Sequence, residues 1–205
     1  IATVENGHLD RRRAEGKLKN LEMRLREQPL QGRAGIGHTR WATHGRPIER
    51  NAHPHMNGRV AVVHNGIIEN FQELKEELTA KGHEFQTDTD TETVVHLVTD
   101  YLDQGYSPIE ASRLALQRLR GAFALGLIFA GHDDLMIGAR HGPPLAIGYG
   151  DGEMYLGSDA IALAPFTGTI TYLEDGDWAV ITRNGAEIYD SAGNRVERPL
   201  VKAVA

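Results

Sequence analysis

The run Gly121-Ala122-Phe123-Ala124-Leu125-Gly126-Leu127-Ile128-Phe129-Ala130 marks the point where the chain changes character. Ahead of it stand helix signals. Ser107-Pro108-Ile109-Glu110 is a capping box with proline at the first helical position. Thr89-Asp90-Thr91-Glu92 opens another apolar stretch that carries Val94, Val95, Leu97 and Val98. A third helix is predicted over 70–81, with Phe71, Leu74 and Leu78 on one face and Gly82 as its stop. Behind the run, 134–140, 144–150, 153–157, 169–173, 177–183 and 186–190 are short apolar segments divided by Gly, Pro and Asp. Asn184-Gly185 is a hairpin signal between the last two. Helices grouped in one stretch and antiparallel strands in the other give an α+β fold.

Upstream the signals are weaker. Leu18, Leu21 and Leu25 have helical spacing and predict a short amphipathic helix over 18–26, ended before Pro29. Residues 35–41 suit a strand running into a loop, and 42–57, with Gly45, Pro47 and Pro54, suit no regular element. Residues 59–64 are a buried strand expected to end at Asn65-Gly66. Ile1-Ala2-Thr3-Val4 looks like a strand already under way, so the chain is taken as a piece whose N-terminal strand is incomplete.

A length of 205 residues suits one substantial domain, spanning 1–205. Twenty-two basic and 28 acidic residues leave a net charge of -6, which gives no general attraction for nucleic acid or anionic membranes. Cysteine is absent, excluding disulfides, thiolate metal sites and a cysteine nucleophile within these residues. No apolar run approaches a membrane span, so the cytoplasm is the default compartment.

Three features carry chemistry. Asn65-Gly66 leads into a helix, not a returning strand, and a side-chain amide beside an approachable backbone N–H is what an oxyanion hole requires. A tight turn is the bland alternative. Arg40-Trp41-Ala42-Thr43-His44-Gly45 places a guanidinium, able to grip a carboxylate in two parallel hydrogen bonds, on an irregular loop. Asp88, Asp90 and Glu92 alternate with threonine; Thr93 replaces the glycine a calcium loop needs, so helix capping by Thr89 or Asp90 is the plain expectation. One of these carboxylates facing a pocket would receive an ammonium group. His38, His44, His53, His55 and His64 fall close together without metal-ligand spacing, and Pro54 argues against a shared geometry for His53 and His55, so no metal is assigned. No phosphate-cradling glycine loop is present, and no cofactor is expected. An arginine, a carboxylate and an Asn-Gly step match the two ends and the amide of a free amino acid.

The ordered series Gly35-Ile36-Gly37-His38-Thr39-Arg40-Trp41-Ala42-Thr43-His44-Gly45, Asn51-Ala52-His53-Pro54-His55, Val62-Val63-His64-Asn65-Gly66-Ile67-Ile68-Glu69-Asn70 and Thr89-Asp90-Thr91-Glu92 is more specific. It resembles the glutaminase domain of the glutamine–fructose-6-phosphate aminotransferase (isomerizing) family, class II or N-terminal-nucleophile glutamine amidotransferases. The resemblance covers essentially the whole chain and implies a four-layer αββα sandwich of the N-terminal-nucleophile hydrolase type. It also implies glutamine hydrolysis by a first-residue cysteine whose amine serves as base. The ammonia released would serve sugar-isomerase domains, absent here, in making glucosamine 6-phosphate from fructose 6-phosphate. By position, Asn65 and Gly66 would form the oxyanion hole, and Arg40 and Thr43 would hold the α-carboxylate of L-glutamine. Asp90 would hold its α-ammonium, with Trp41 and His44 on the closing loop and His53 nearby. The chain as written has no such cysteine. Two rivals stay open: a glutamine-binding module without catalysis, and a histidine-based metallohydrolase.

Overall fold

The computed structural model describes residues 1–40 and 45–204. In chain order the elements are β1 (Ala2–Glu5), β2 (His8–Arg11), α1 (Leu18–Glu27), β3 (Ala34–Ile36), a 3-10 turn (Glu49–Asn51), β4 (His55–Met56) and β5 (Val60–Ile68). There follow α2 (Phe71–Ala80), α3 (Thr91–Asp103), α4 (Pro108–Arg118), β6 (Gly121–Phe129) and β7 (His132–His141). The chain continues through β8 (Ala146–Tyr149), β9 (Met154–Gly157), α5 (Ala160–Leu163), β10 (Thr169–Tyr172) and β11 (Trp178–Thr182). It closes with β12 (Gly185–Tyr189), β13 (Arg195–Val196) and β14 (Val201–Lys202).

The strands form a seven-stranded sheet in the order β13-β12-β11-β7-β6-β5-β4, a four-stranded sheet β14-β10-β8-β9 and a three-stranded sheet β2-β1-β3. Every pairing among the described residues is antiparallel. The continuous apolar run of β6 has its reason in this layering, because both faces of the large sheet are covered. Alternation along β6 sends Leu125, Leu127 and Phe129 to one face, with Val60 and Val62 of β5, against Leu97, Val94 and Val98 of α3 and Ala111 and Ala115 of α4. The other face packs on both smaller sheets: Ala124, Ala179 and Ile181 meet Leu145, Ile147 and Leu173, while Ala61 and Ile128 meet Ala2 and Ile36. Helices α2–α4, the large sheet, the smaller sheets and, outermost, the short α5 thus follow one another in the αββα order of an α+β sandwich, with α5 against β9 and Leu163 buried on Ala146 and Ile170. Leu97 is fully buried between the helices and the sheet. Leu97→Ala is expected to cost about 2–5 kcal/mol, read as a lower urea midpoint at unchanged slope.

The boundaries depart from expectation in three places. The strand predicted to end at Asn65-Gly66 continues to Ile68, with Asn65 paired to Ala124, Gly66 to Phe123 and Ile68 to Gly121. The predicted irregular segment 42–57 contains the 3-10 turn and β4, which pairs with β5. Helix α1 forms, yet none of its residues is buried, and Leu18 and Met23 are each 56% exposed. Its leucine spacing therefore serves no core contact of the kind that stabilises an amphipathic helix.

Candidate functional site

Strand β5 and the start of α3 meet at one end of the large sheet. Asp90 sits at the N-cap position of α3, where a local helix cap was the plain expectation, but its side chain makes no cap hydrogen bond. Instead Oδ2 accepts the backbone N–H of Ile68 at 2.9 Å, a contact across 22 residues in a buried setting. Thr89 likewise turns its hydroxyl to His55 Nε2 at 3.1 Å and to Thr87. The acidic run is thus a tertiary tether, with Asp90 only 3% exposed.

Glu92 completes that tether. Its carboxylate accepts Gln86 N–H at 2.8 Å and Thr87 N–H at 2.7 Å, and meets His96 Nε2 at 2.9 Å. Burial works to raise its pKa, but the bonds to His96, Gln86 and Thr87 together outweigh it and hold the carboxyl below its usual range. A depressed folded-state pKa means stabilisation present above the ordinary glutamate value and lost as pH falls through the folded one. Glu92→Gln is expected to lower stability by about 1–3 kcal/mol at pH 7. The gap to wild type should narrow below about pH 4.3, where the unfolded-state carboxyl protonates; urea midpoints at both pH values check this.

The segment after β3 runs alongside. His38 Nε2 lies 2.6 Å from Asn65 Oδ1, and the His38 ring stacks on His53 at 4.1 Å between centroids and 22° between planes. His53 in turn meets His55 edge-on at 4.8 Å. The expectation that Pro54 would keep His53 and His55 apart is therefore corrected: both rings fold back into one column. Burial, reinforced for His53 by its histidine neighbours, drives the pKa values of His38 and His53 down, and that of His55 down to about 3. The column is uncharged at neutral pH. No group of three or more His, Cys, Asp or Glu side chains among the described residues is placed to hold a metal ion.

Arg40 donates from Nη1 to the Arg46 carbonyl at 2.8 Å and from Nη2 to that of Gly45 at 3.2 Å. Burial lowers its pKa, and the nearby charge of Asp90 opposes that shift. Residues 45–51 are pinned to the acidic run, since Asn51 accepts Asp88 N–H at 3.0 Å and Asp88 pairs with Arg50 at 2.6 Å. Trp41, Thr43 and His44, expected on the closing loop, lie outside the described residues.

These elements enclose a cleft of about 390 Å³, within the range of small-molecule sites, lined by His38, Arg40, Asn65, Gly66 and Asp90 among others. Arg40, Asn65, Gly66 and Asp90, far apart along the chain, are brought together. His53 lines the cleft too. Gly66 adopts φ +112°, and a Cβ there would stand 2.1 Å from the Ala122 carbonyl oxygen. A second hollow of about 380 Å³, walled by Arg12, Arg13 and Lys17, adjoins along His38, Thr39, Arg40 and His53. The contact of His38 with Asn65 and the clamp formed by Asn51, Asp88 and Glu92 had no reading in the sequence. The Thr-Asp-Thr-Asp-Thr-Glu run was their one local signal, and it looked like a cap.

The chain is similar to proteins of established name. Over all 205 residues it is 70% identical to glutamine–fructose-6-phosphate aminotransferase (isomerizing) of Bradyrhizobium diazoefficiens, of which it covers 34%. Over 203 residues it is 68% identical to the protein of the same name in Brucella suis biovar 1, covering 33% of it. The chain thus spans about a third of the length of the curated relatives it matches. Among solved structures, glutamine phosphoribosylpyrophosphate amidotransferase of B. subtilis superposes with a TM-score of 0.61 at 29% identity, covering 77% of this chain and 35% of that one. Residues 38–165, more than half of the chain and all of the cleft between β5 and α3, match the family described as the glutamine amidotransferase domain, and the chain belongs to that family.

Proposed function

We propose that the cleft binds L-glutamine and that, in the full-length protein, glutamine hydrolysis there supplies ammonia for making glucosamine 6-phosphate from fructose 6-phosphate in sugar-isomerase domains. What supports this reading is the convergence of Arg40, Asn65, Gly66 and Asp90 on one cavity. Arg40 offers the guanidinium for the α-carboxylate, and a carboxylate is a stronger acceptor than the neutral carbonyls of Gly45 and Arg46 that it now holds. Asp90 carries the charge for the α-ammonium, with one oxygen anchored on Ile68 N–H. Both charged groups sit on the α-carbon, and Asn65 and Gly66 take the side-chain amide at the other end of the molecule.

The chemistry is acyl transfer. A thiolate sulfur bonds to the amide carbon, the carbonyl electron pair moves to oxygen, and Asn65 and Gly66 donate hydrogen bonds to the resulting anion. The base that took the thiol's proton returns it to the nitrogen, collapse breaks the C–N bond and releases ammonia, and water cleaves the thioester to glutamate and restores the thiol. The 205 residues contain no cysteine, so turnover is measured on the full-length gene product and binding on this chain. The rival reading, a glutamine-binding module without turnover, predicts binding with no ammonia release by the full-length protein.

Calorimetric titration with glutamine tests the binding role. Arg40→Ala removes charge-assisted hydrogen bonds and is expected to weaken affinity at least tenfold, since one such bond carries about 1.5–3 kcal/mol. Unchanged affinity removes Arg40 from the site.

A further inference from the structure

We propose that His38 is a positioning residue for Asn65: its Nε2–H holds the Asn65 amide oxygen and so turns the amide NH₂ toward the cleft. The inference rests on the oxyanion role given to Asn65 above. A primary amide at an exposed position can rotate by a half turn, exchanging its acceptor end for its donor end, and only the donor end stabilises an oxyanion. Something must select one orientation. The 2.6 Å contact between His38 Nε2 and Asn65 Oδ1 does so, because an amide oxygen only accepts and the imidazole must then donate.

The surroundings of the ring fit that assignment. Burial keeps His38 neutral, so a single ring nitrogen carries a proton. His38 Nδ1 is buried and has no hydrogen-bond partner among the described residues. With the proton on Nε2, the nitrogen left there is a bare acceptor. The His64 backbone also lies close to the ring, so it is the Asn65 contact that decides: with the proton on Nδ1, two lone pairs would face each other across 2.6 Å. The stacked His53 ring fixes the His38 plane, so the donor direction is set before substrate arrives. Asn65 itself sits on the β5–β6 ladder opposite Ala124, which fixes its backbone. Backbone and amide rotation are thereby both determined.

The test uses the full-length protein and four variants: His38→Ala, His38→Gln, Asn65→Ala and His38→Ala with Asn65→Ala. Loss of one orienting hydrogen bond should lower kcat for glutamine hydrolysis by roughly tenfold in His38→Ala. KM should stay within about twofold, because the interaction acts only on the transition state. His38→Gln, whose amide N–H can reach the same oxygen, should recover most of the rate. In the Asn65→Ala background His38→Ala should change nothing further, since the group it positions is gone. A full additional loss in that background, or wild-type kcat in His38→Ala while Asn65→Ala is impaired, overturns the positioning role and leaves the Asn65 assignment standing. Unimpaired Asn65→Ala overturns both. Nitrogen-15 correlation spectra of the wild-type protein read the tautomer directly and need no variant to fold: a proton on His38 Nε2 is expected, and a proton on Nδ1 refutes the proposal.

Discussion

Replacing Asn65 by alanine in the full-length protein is expected to lower kcat for glutamine hydrolysis by about 10²–10³, the usual consequence of removing one oxyanion donor and equivalent to roughly 2.7–4 kcal/mol. The size follows from when the interaction is made. Before attack, the glutamine amide oxygen is a neutral acceptor that water serves almost as well. After attack it carries a full charge inside a cleft whose wall includes the uncharged rings of His38 and His53. A fixed N–H dipole there needs no reorganisation, whereas water would. The loss should therefore fall equally on kcat and kcat/KM, with glutamine affinity near that of wild type. A rise confined to KM would mean that Asn65 serves ground-state binding instead. Because the Asn65 amide makes its hydrogen bond to His38 and none to the core, the variant should keep wild-type thermal stability to within about 0.5 kcal/mol. That separates lost chemistry from lost folding.

Much of this arrangement was legible in the sequence, and the parts that were not share a cause. The α+β class followed from punctuation: Ser107 and Pro108 start α4 as their types require, with Ser107 Oγ accepting Glu110 N–H at 3.3 Å, and the glycine-divided apolar runs after 121 became an antiparallel sheet. Arg40, Asn65 and Gly66 could be singled out because each carries a group an amino acid needs, whereas only the family resemblance chose Asp90 from the acidic run. What the residues could not reveal by themselves is what holds those groups. Asn65-Gly66 looked like a strand end because both types tolerate positive φ, yet only Gly66 takes it, and pairing with β6 runs on to Ile68. The strand continues because Ile68 is fully buried beneath the helices and because Asp90 captures its N–H. The same capture turned the expected helix cap into a tertiary bond: a carboxylate at a helix start has two candidate partners, and chain topology chooses between them. His38 and Asn65 are 27 positions apart, with no periodicity linking them. Each of these is a side chain answering to a partner distant along the chain, for which local patterns hold no signal.

The glycine beside Asn65 puts that dependence to a stability test. Gly66→Ala is expected to destabilise the fold by about 3 kcal/mol or more. An alanine held at φ +112° is strained by roughly 1–3 kcal/mol. Its Cβ would also stand 2.1 Å from the Ala122 carbonyl oxygen and 3.2 Å from Phe123 Cα, atoms of the partner strand's backbone that no rotamer change can move. Relief requires parting β5 from β6 along the longest ladder of the large sheet. Gly126→Ala on the same strand pair is the control. There the added methyl meets Val63 Cγ2 at 3.2 Å, Leu156 Cδ2 at 3.4 Å and Ile36 Cγ2 at 3.9 Å, all side-chain ends that can shift, and the backbone is unstrained. Its cost should be clearly smaller, about 1 kcal/mol. Urea unfolding of the pair decides the matter: equal midpoints would show that the β5–β6 ladder yields freely at Gly66. In that event the strand would be no rigid support for Asn65, and precise donor placement would have to come from the His38 contact alone.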